Sequence, residues 1–91
     1  MSALELIAAE RDRQISKGYD ATHDDQHNDD LSIVATQVIF AAATGEGSDG
    51  WGIVKKHAGN PVKLLTIAGA LIVAEIERRQ RLKSKAERSQ P

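Results

Sequence analysis

The sequence predicts an all-α protein, an antiparallel three-helix bundle completed by homo-oligomerisation. The apolar 41% of the chain is mostly Ala, Leu, Ile and Val, and Tyr19, Phe40 and Trp51 are the only aromatics, a composition that suits close helix packing better than a sheet. Three segments repeat apolar residues at three- and four-residue spacings, and each has a capping residue at its start. At 91 residues one domain is the default, and with no cysteine to staple a small core, a metal or self-association is the remaining support.

The first helix is expected over Ser2–Lys17. Ser2 and Glu5 have the spacing of a capping box, and Gly18 suits the left-handed position that ends a helix. Leu4, Ile7, Ala8, Arg11 and Ile15 share one face, and Glu10, Arg11 and Gln14 beside that stripe are placed to line a polar pocket.

Tyr19–Asp29 reads as a polar loop. Asp29 or Asp30 then caps a second helix from about Leu31 to Thr44, with Leu31, Val34, Ala35, Val38 and Ala42 on its core face and Ile33, Phe40 and Ala41–Ala43 widening it. Gly45–Gly59 is glycine-rich, contains Trp51, and offers a short helical turn at Ile53–His57.

Asn60-Pro61 opens the clearest element, because Asn is a preferred cap and Pro is favoured at the first helical position. This third helix is expected from Pro61 to about Lys83, roughly 35 Å long. It is apolar almost all round to Ile76 and charged beyond, so two short helices cannot cover it. The expected consequence is a dimer with Trp51, Leu65, Leu71, Ile72 and Ile76 at the interface. Residues 1–85 form the expected domain and 86–91 a frayed tail.

Several partner classes are not expected. A net charge of −1 steers the chain toward neither nucleic acid nor membrane. The apolar run Leu64–Ala74 is about half the roughly 20 residues that span a bilayer. The six basic residues of Arg78–Arg88 come without a base-reading motif and read as a solvated helix end.

The densest chemistry lies in the loop, where His23, Asp24, Asp25, His27, Asp29 and Asp30 fall within eight residues. Three readings stay open. His23, Asp24, Asp25 and His27 are the side-chain types that hold a divalent metal. Asp24 or Asp25 can instead cap a short helical turn while the histidines bond to neighbouring helices. The same residues can also contact a ligand or partner directly. Arg11 fits either a bidentate pair with Asp24 or Asp25, or an anion clamp for phosphate assisted by Lys17 or Lys63. Glu75 lies late in the third helix, where it either adds a carboxylate to the cluster or pairs with Arg78 or Arg79. Tyr19 and Trp51 serve as core plugs or as stacking surfaces, and Trp51 between glycines also fits a mobile lid.

Three blocks, ERDRQ at 10–14, HDDQH at 23–27 and AGALIVAEIER at 68–78, together resemble a family of short phage and prophage proteins. Members of that family combine ERxRQ, G[WY]xxxHDDxH, an alanine- and leucine-rich helix, a tryptophan-containing insert and a late AALIxAEIER helix. The likeness covers about residues 8–80. It departs at Asp29-Asp30-Leu31, where the family pattern continues Gly-Glu-Leu. The resemblance implies a phage-encoded protein in the cytoplasm of a bacterial host and carries no established activity.

The leading functional expectation is a binding module. Arg11, Gln14, Tyr19, His23, Asp25, His27 and Lys63 would hold a phosphorylated small ligand or a host protein, in a host-modulating or counter-defence role. The alternative is a metal-dependent nucleotide pyrophosphohydrolase, with His23, Asp24, Asp25 and His27 on the metal and Glu10 or Glu75 as base. It rests on a likeness in architecture to small all-α pyrophosphohydrolases, whose E-x-x-E pair this chain lacks. A third reading is a purely structural helical oligomer.

Overall fold

A computed structural model of the protein describes residues 1–26 and 30–88. Its elements are all helical: α1 (Ala3–Ser16), α2 (Ala21–Gln26), α3 (Asp30–Thr44), α4 (Ile53–Lys56) and α5 (Pro61–Arg88). Three long helices stand where the periodicity placed them, and two short ones join them.

Both ends of α1 follow from local chemistry. The Ser2 hydroxyl accepts from the Glu5 amide at 3.1 Å, and the Glu5 carboxylate accepts from the Ser2 amide at 3.0 Å. At the other end Gly18 takes φ 99°, and the Tyr19 and Gly18 amides donate back to the carbonyls of Gln14 and Ile15. That paired closure needs a left-handed residue at position 18, which glycine supplies without steric cost. The opening of α5 is equally local, with the Asn60 side chain accepting from the Lys63 amide at 3.2 Å.

The apolar core lies between α3 and α5. Leu31, Val34, Ala35 and Val38 pack against Leu64, Ile67, Ala68, Leu71 and Ala74, and Ala42, Ile53 and Val54 close its edge. The two helices are antiparallel, since Ser32 meets Glu75 while Ile39, two turns on, shares a groove with Ile72. Ile33 and Phe40, expected to widen the core face of α3, are exposed instead. α3 has one packed side here, facing α5.

The relation of α1 to the rest differs from the expected bundle. Neighbouring residues Glu10 and Arg11 reach Lys63 and Glu77, which lie fourteen positions apart on α5. α1 therefore crosses α5 instead of running along it, and it packs on α5 without a comparable contact to α3. The crossing passes over Gly69, where a Cβ would stand 2.7 Å from the Ile7 Cδ1 and 2.9 Å from its Cγ1. With so narrow an apolar contact, Leu4 and Ile15 remain exposed, and the buried residues of α1 are Glu10, Arg11 and Gln14.

α5 continues five residues past the expected end, to Arg88, and so takes in part of the segment expected to fray. Leu71, expected at a subunit interface, is buried in the core, whereas Leu65, Ile72 and Ile76 are exposed. Among the described residues no helix is long and apolar enough to cross a membrane.

Candidate functional site

Residues 21–26, expected as loop, form α2. Asp20 starts it: its carboxylate accepts from the His23 amide at 3.2 Å and its carbonyl from the Asp24 amide at 2.9 Å. The cap is thus Asp20, and neither Asp24 nor Asp25 fills that role. One turn of helix turns Asp24 inward and Asp25 outward, which gives two adjacent carboxylates separate partners.

Asp24 is the most buried charge described, at 1% exposure, and Arg11 reaches it from α1 at 8%. The Arg11 guanidinium donates to Asp24 Oδ2 at 2.9 Å, to the Tyr19 carbonyl at 3.0 Å and to Glu77 Oε1 at 3.3 Å. The other Asp24 oxygen faces His23 Nδ1 at 3.3 Å. One arginine thereby joins α1, α2 and α5. Asp25 lies at the surface against Arg81 at 2.8 Å, and that hydrogen bond holds its carboxyl below the usual carboxylate range. Arg11 is therefore a structural cross-brace, with each of its three guanidinium nitrogens bonded within the protein.

The other candidate carboxylates are also engaged. Glu10 takes a bidentate pair from Arg13, with its shortest contact at 2.6 Å, and accepts from Lys63 at 3.4 Å. The Arg13 hydrogen bonds outweigh burial and hold Glu10 below its ordinary pKa. Glu75 accepts from Arg78 at 2.6 Å and from the Ser32 hydroxyl at 2.8 Å. Burial pushes the Glu75 carboxyl up, but those two bonds prevail and keep it low. Glu75 faces the groove between α3 and α5, lined also by Ile39, Ile72 and Ile76, and does not join the histidine–aspartate cluster. Among the described residues no three His, Asp or Glu side chains come together in a way that could hold a metal ion. His27 and Asp29 lie outside the described residues, and the proposed four-ligand set with them.

What the fold does build is a cleft of about 600 Å³ between α1, the α1–α2 turn and α4. Small-molecule sites fall at about 300–1,000 Å³. Its floor is the back of the core, namely Leu31, Ile67, Leu71 and Ala74. One wall is aromatic. Tyr19 and His23 meet edge to face with ring centroids 4.7 Å apart, and Trp51 approaches His23 at 6.3 Å. Trp51 is held by Asp49, whose carboxylate accepts from the Trp51 amide at 2.9 Å and the Val54 amide at 2.7 Å, so this residue is anchored at the head of α4.

The remaining walls carry Arg13 and Gln14 from α1 with its C-cap Lys17, and Lys56 from α4 with its C-cap His57. Arg13 is engaged by Glu10, whereas Lys17 and Lys56 have no carboxylate partner among the described residues. Burial, reinforced by Lys63 and Lys56, lowers the pKa of His57 and favours its neutral form. Gln14 is 95% buried by its 5% exposure, and its carbonyl oxygen has no hydrogen-bond partner among the described residues. A buried polar atom left unpaired costs about 1–3 kcal/mol.

Gln14, Tyr19 and His23 line the same cleft, and the partly exposed Trp51 lines it with them. Arg11, Asp25 and Lys63 are drawn into ion pairs away from the cleft. Arg13, Lys56 and His57 were not singled out from the sequence. The signal for Arg13 was its spacing, since residues 13 and 17 stand at i and i+4 on one helix face. For Lys56 and His57 no local signal exists, because their place depends on how α4 folds back. The chain matches no protein-family model, no curated protein and no solved structure.

Proposed function

We propose that the protein is a small binding module that holds a phosphorylated small ligand in the cleft between α1 and α4. The observation that carries this reading is the pair Lys17 and Lys56, two cations without carboxylate partners among the described residues, on the rim of a cleft with an apolar floor. Ammonium groups are strong point donors to phosphate, and an apolar floor lowers the dielectric around them. The carboxylates of Asp24, Glu10 and Glu75 are each committed to a cation, which suits holding a ligand better than activating a water. The phage resemblance supplies the setting, a host-modulating or counter-defence protein that sequesters its ligand.

Ribose 5-phosphate is the simplest probe. At a hundredfold excess over Kd it should stabilise the protein by about 2.7 kcal/mol in a thermal melt. Lys17→Ala with Lys56→Ala should abolish the response while leaving the unliganded melt nearly unchanged. A response that survives the double variant would sink this reading.

Self-association belongs to the same proposal. Leu65, Ile72 and Ile76 are exposed on α5, and the groove of about 240 Å³ beside Ile72 and Ile76 continues onto Ile39 of α3. A second copy seated there would cover the apolar surface that one small domain leaves bare. Light scattering should report a dimer, and Ile72→Glu with Ile76→Glu a folded monomer. A monomeric parent protein would refute it.

A further inference from the structure

The binding reading leaves open what is attached to the phosphate. Three features of the cleft are unexplained by an anion site alone. A phosphate needs no aromatic wall, yet Tyr19, His23 and Trp51 form one. It needs no apolar floor, yet Ile67 and Leu71 supply one. It cannot donate to a carbonyl, yet Gln14 lines the cleft with its side-chain oxygen buried and without a donor among the described residues.

Resting on the binding reading, we infer that the cleft takes a nucleotide whose base carries an exocyclic amine, adenine being the best match. A planar base is the common ring that offers a π-face to aromatic side chains and hydrogen-bond donors at its edge. A glutamine amide matches the adenine edge with one acceptor and one donor, and the adenine amine would give the Gln14 oxygen its missing partner. Gln14 lies in the last turn of α1 and Lys17, three residues on, is its C-cap, so one end of the helix presents both the base reader and a phosphate cation. Trp51 is the only tryptophan of the chain, which makes its fluorescence a direct report on occupancy of the aromatic wall.

The test compares adenosine monophosphate, inosine monophosphate, ribose 5-phosphate and adenosine by titration of the full-length protein, read by Trp51 fluorescence and calorimetry. Adenosine monophosphate should quench Trp51 and bind at least about tenfold tighter than ribose 5-phosphate, which lacks a ring. It should also exceed inosine monophosphate, whose base has an oxygen in place of the amine, by about tenfold. Gln14→Leu should erase that second preference and keep affinity for ribose 5-phosphate, with circular dichroism as the check on folding. If ribose 5-phosphate matches adenosine monophosphate and Trp51 is silent, the base inference falls and the phosphate site stands. If the adenine and inosine nucleotides bind equally to the unmodified protein, the role of Gln14 falls, whatever the variant does. Adenosine binding as tightly as its phosphate, or no binding of any phosphate compound, overturns both readings.

Discussion

Where α3 meets α5 the interior is Leu31, Val34, Val38, Leu64, Ile67 and Leu71; where α1 and α2 meet α5 the buried side chains are Glu10, Arg11, Gln14 and Asp24. The apolar half is held by area removed from water, which is non-directional and tolerates substitutions that keep volume. The polar half is held by charge-assisted bonds with set geometry, each of which fixes the position of a helix. The cleft lies at the seam between them. Its floor is borrowed from the apolar half, and its recognition groups are held by the polar one.

The sharpest way to break this contrast is to cut one partner from the buried pair. Arg11→Met removes the buried ion pair of Asp24 and leaves that carboxyl with His23 alone, and should cost about 3–5 kcal/mol in urea unfolding. Adding Asp24→Leu removes the orphaned charge and should recover most of that loss while disordering the register of α2. A double variant no more stable than the single one would mean that the pair does not act as a unit.

Truncation in the apolar half comes next. Leu71→Ala should cost about 2–4 kcal/mol through lost burial and a cavity. Because Leu71 is in the core of one chain, the loss should be independent of protein concentration. A concentration-dependent loss would return Leu71 to a subunit interface.

The smallest effect expected is on pH. Glu10 and Glu75 have folded-state pKa values below the ordinary 4.5, so the unfolded chain binds more protons as acid is added. Their contribution is fully present above about pH 4.5 and is lost as pH falls through the lower folded-state values. The melting temperature should be flat from neutral pH to about 5 and then decline. Glu75→Gln should flatten part of that decline, because it removes one of the titrating groups. An equally steep acid transition in the variant would place the linkage elsewhere.

Much of the helical layout was legible from local signals. Ser2 with Glu5, Gly18, Gly45 and Asn60-Pro61 each act within a few residues of themselves, and the helices begin or end beside them. The core face of α3 followed from its apolar spacing. The short helix α2 was less legible, because its cap is Asp20 and the residues after it, rich in Asp and His, carry weak helix propensity. The site was half legible. Gln14, Tyr19 and His23 stood out by type and position, whereas Arg11 and Lys63, named with them, pair with Asp24 and Glu10 outside the cleft.

The sequence by itself determined that the chain is helical and where its long helices start, because capping and periodicity are short-range properties of neighbouring residues. Only the tertiary structure decided which charges pair. Arg11 to Asp24, Glu10 to Lys63 and Asp25 to Arg81 span 13, 53 and 56 positions. The pairing of Glu10 with Lys63 depends on α1 packing against α5 at Gly69. A charged side chain has the same intrinsic affinity for every opposite charge, so the partner it takes, and hence which cations remain for a ligand, is set by the packing of helices and not by the order of residues along them.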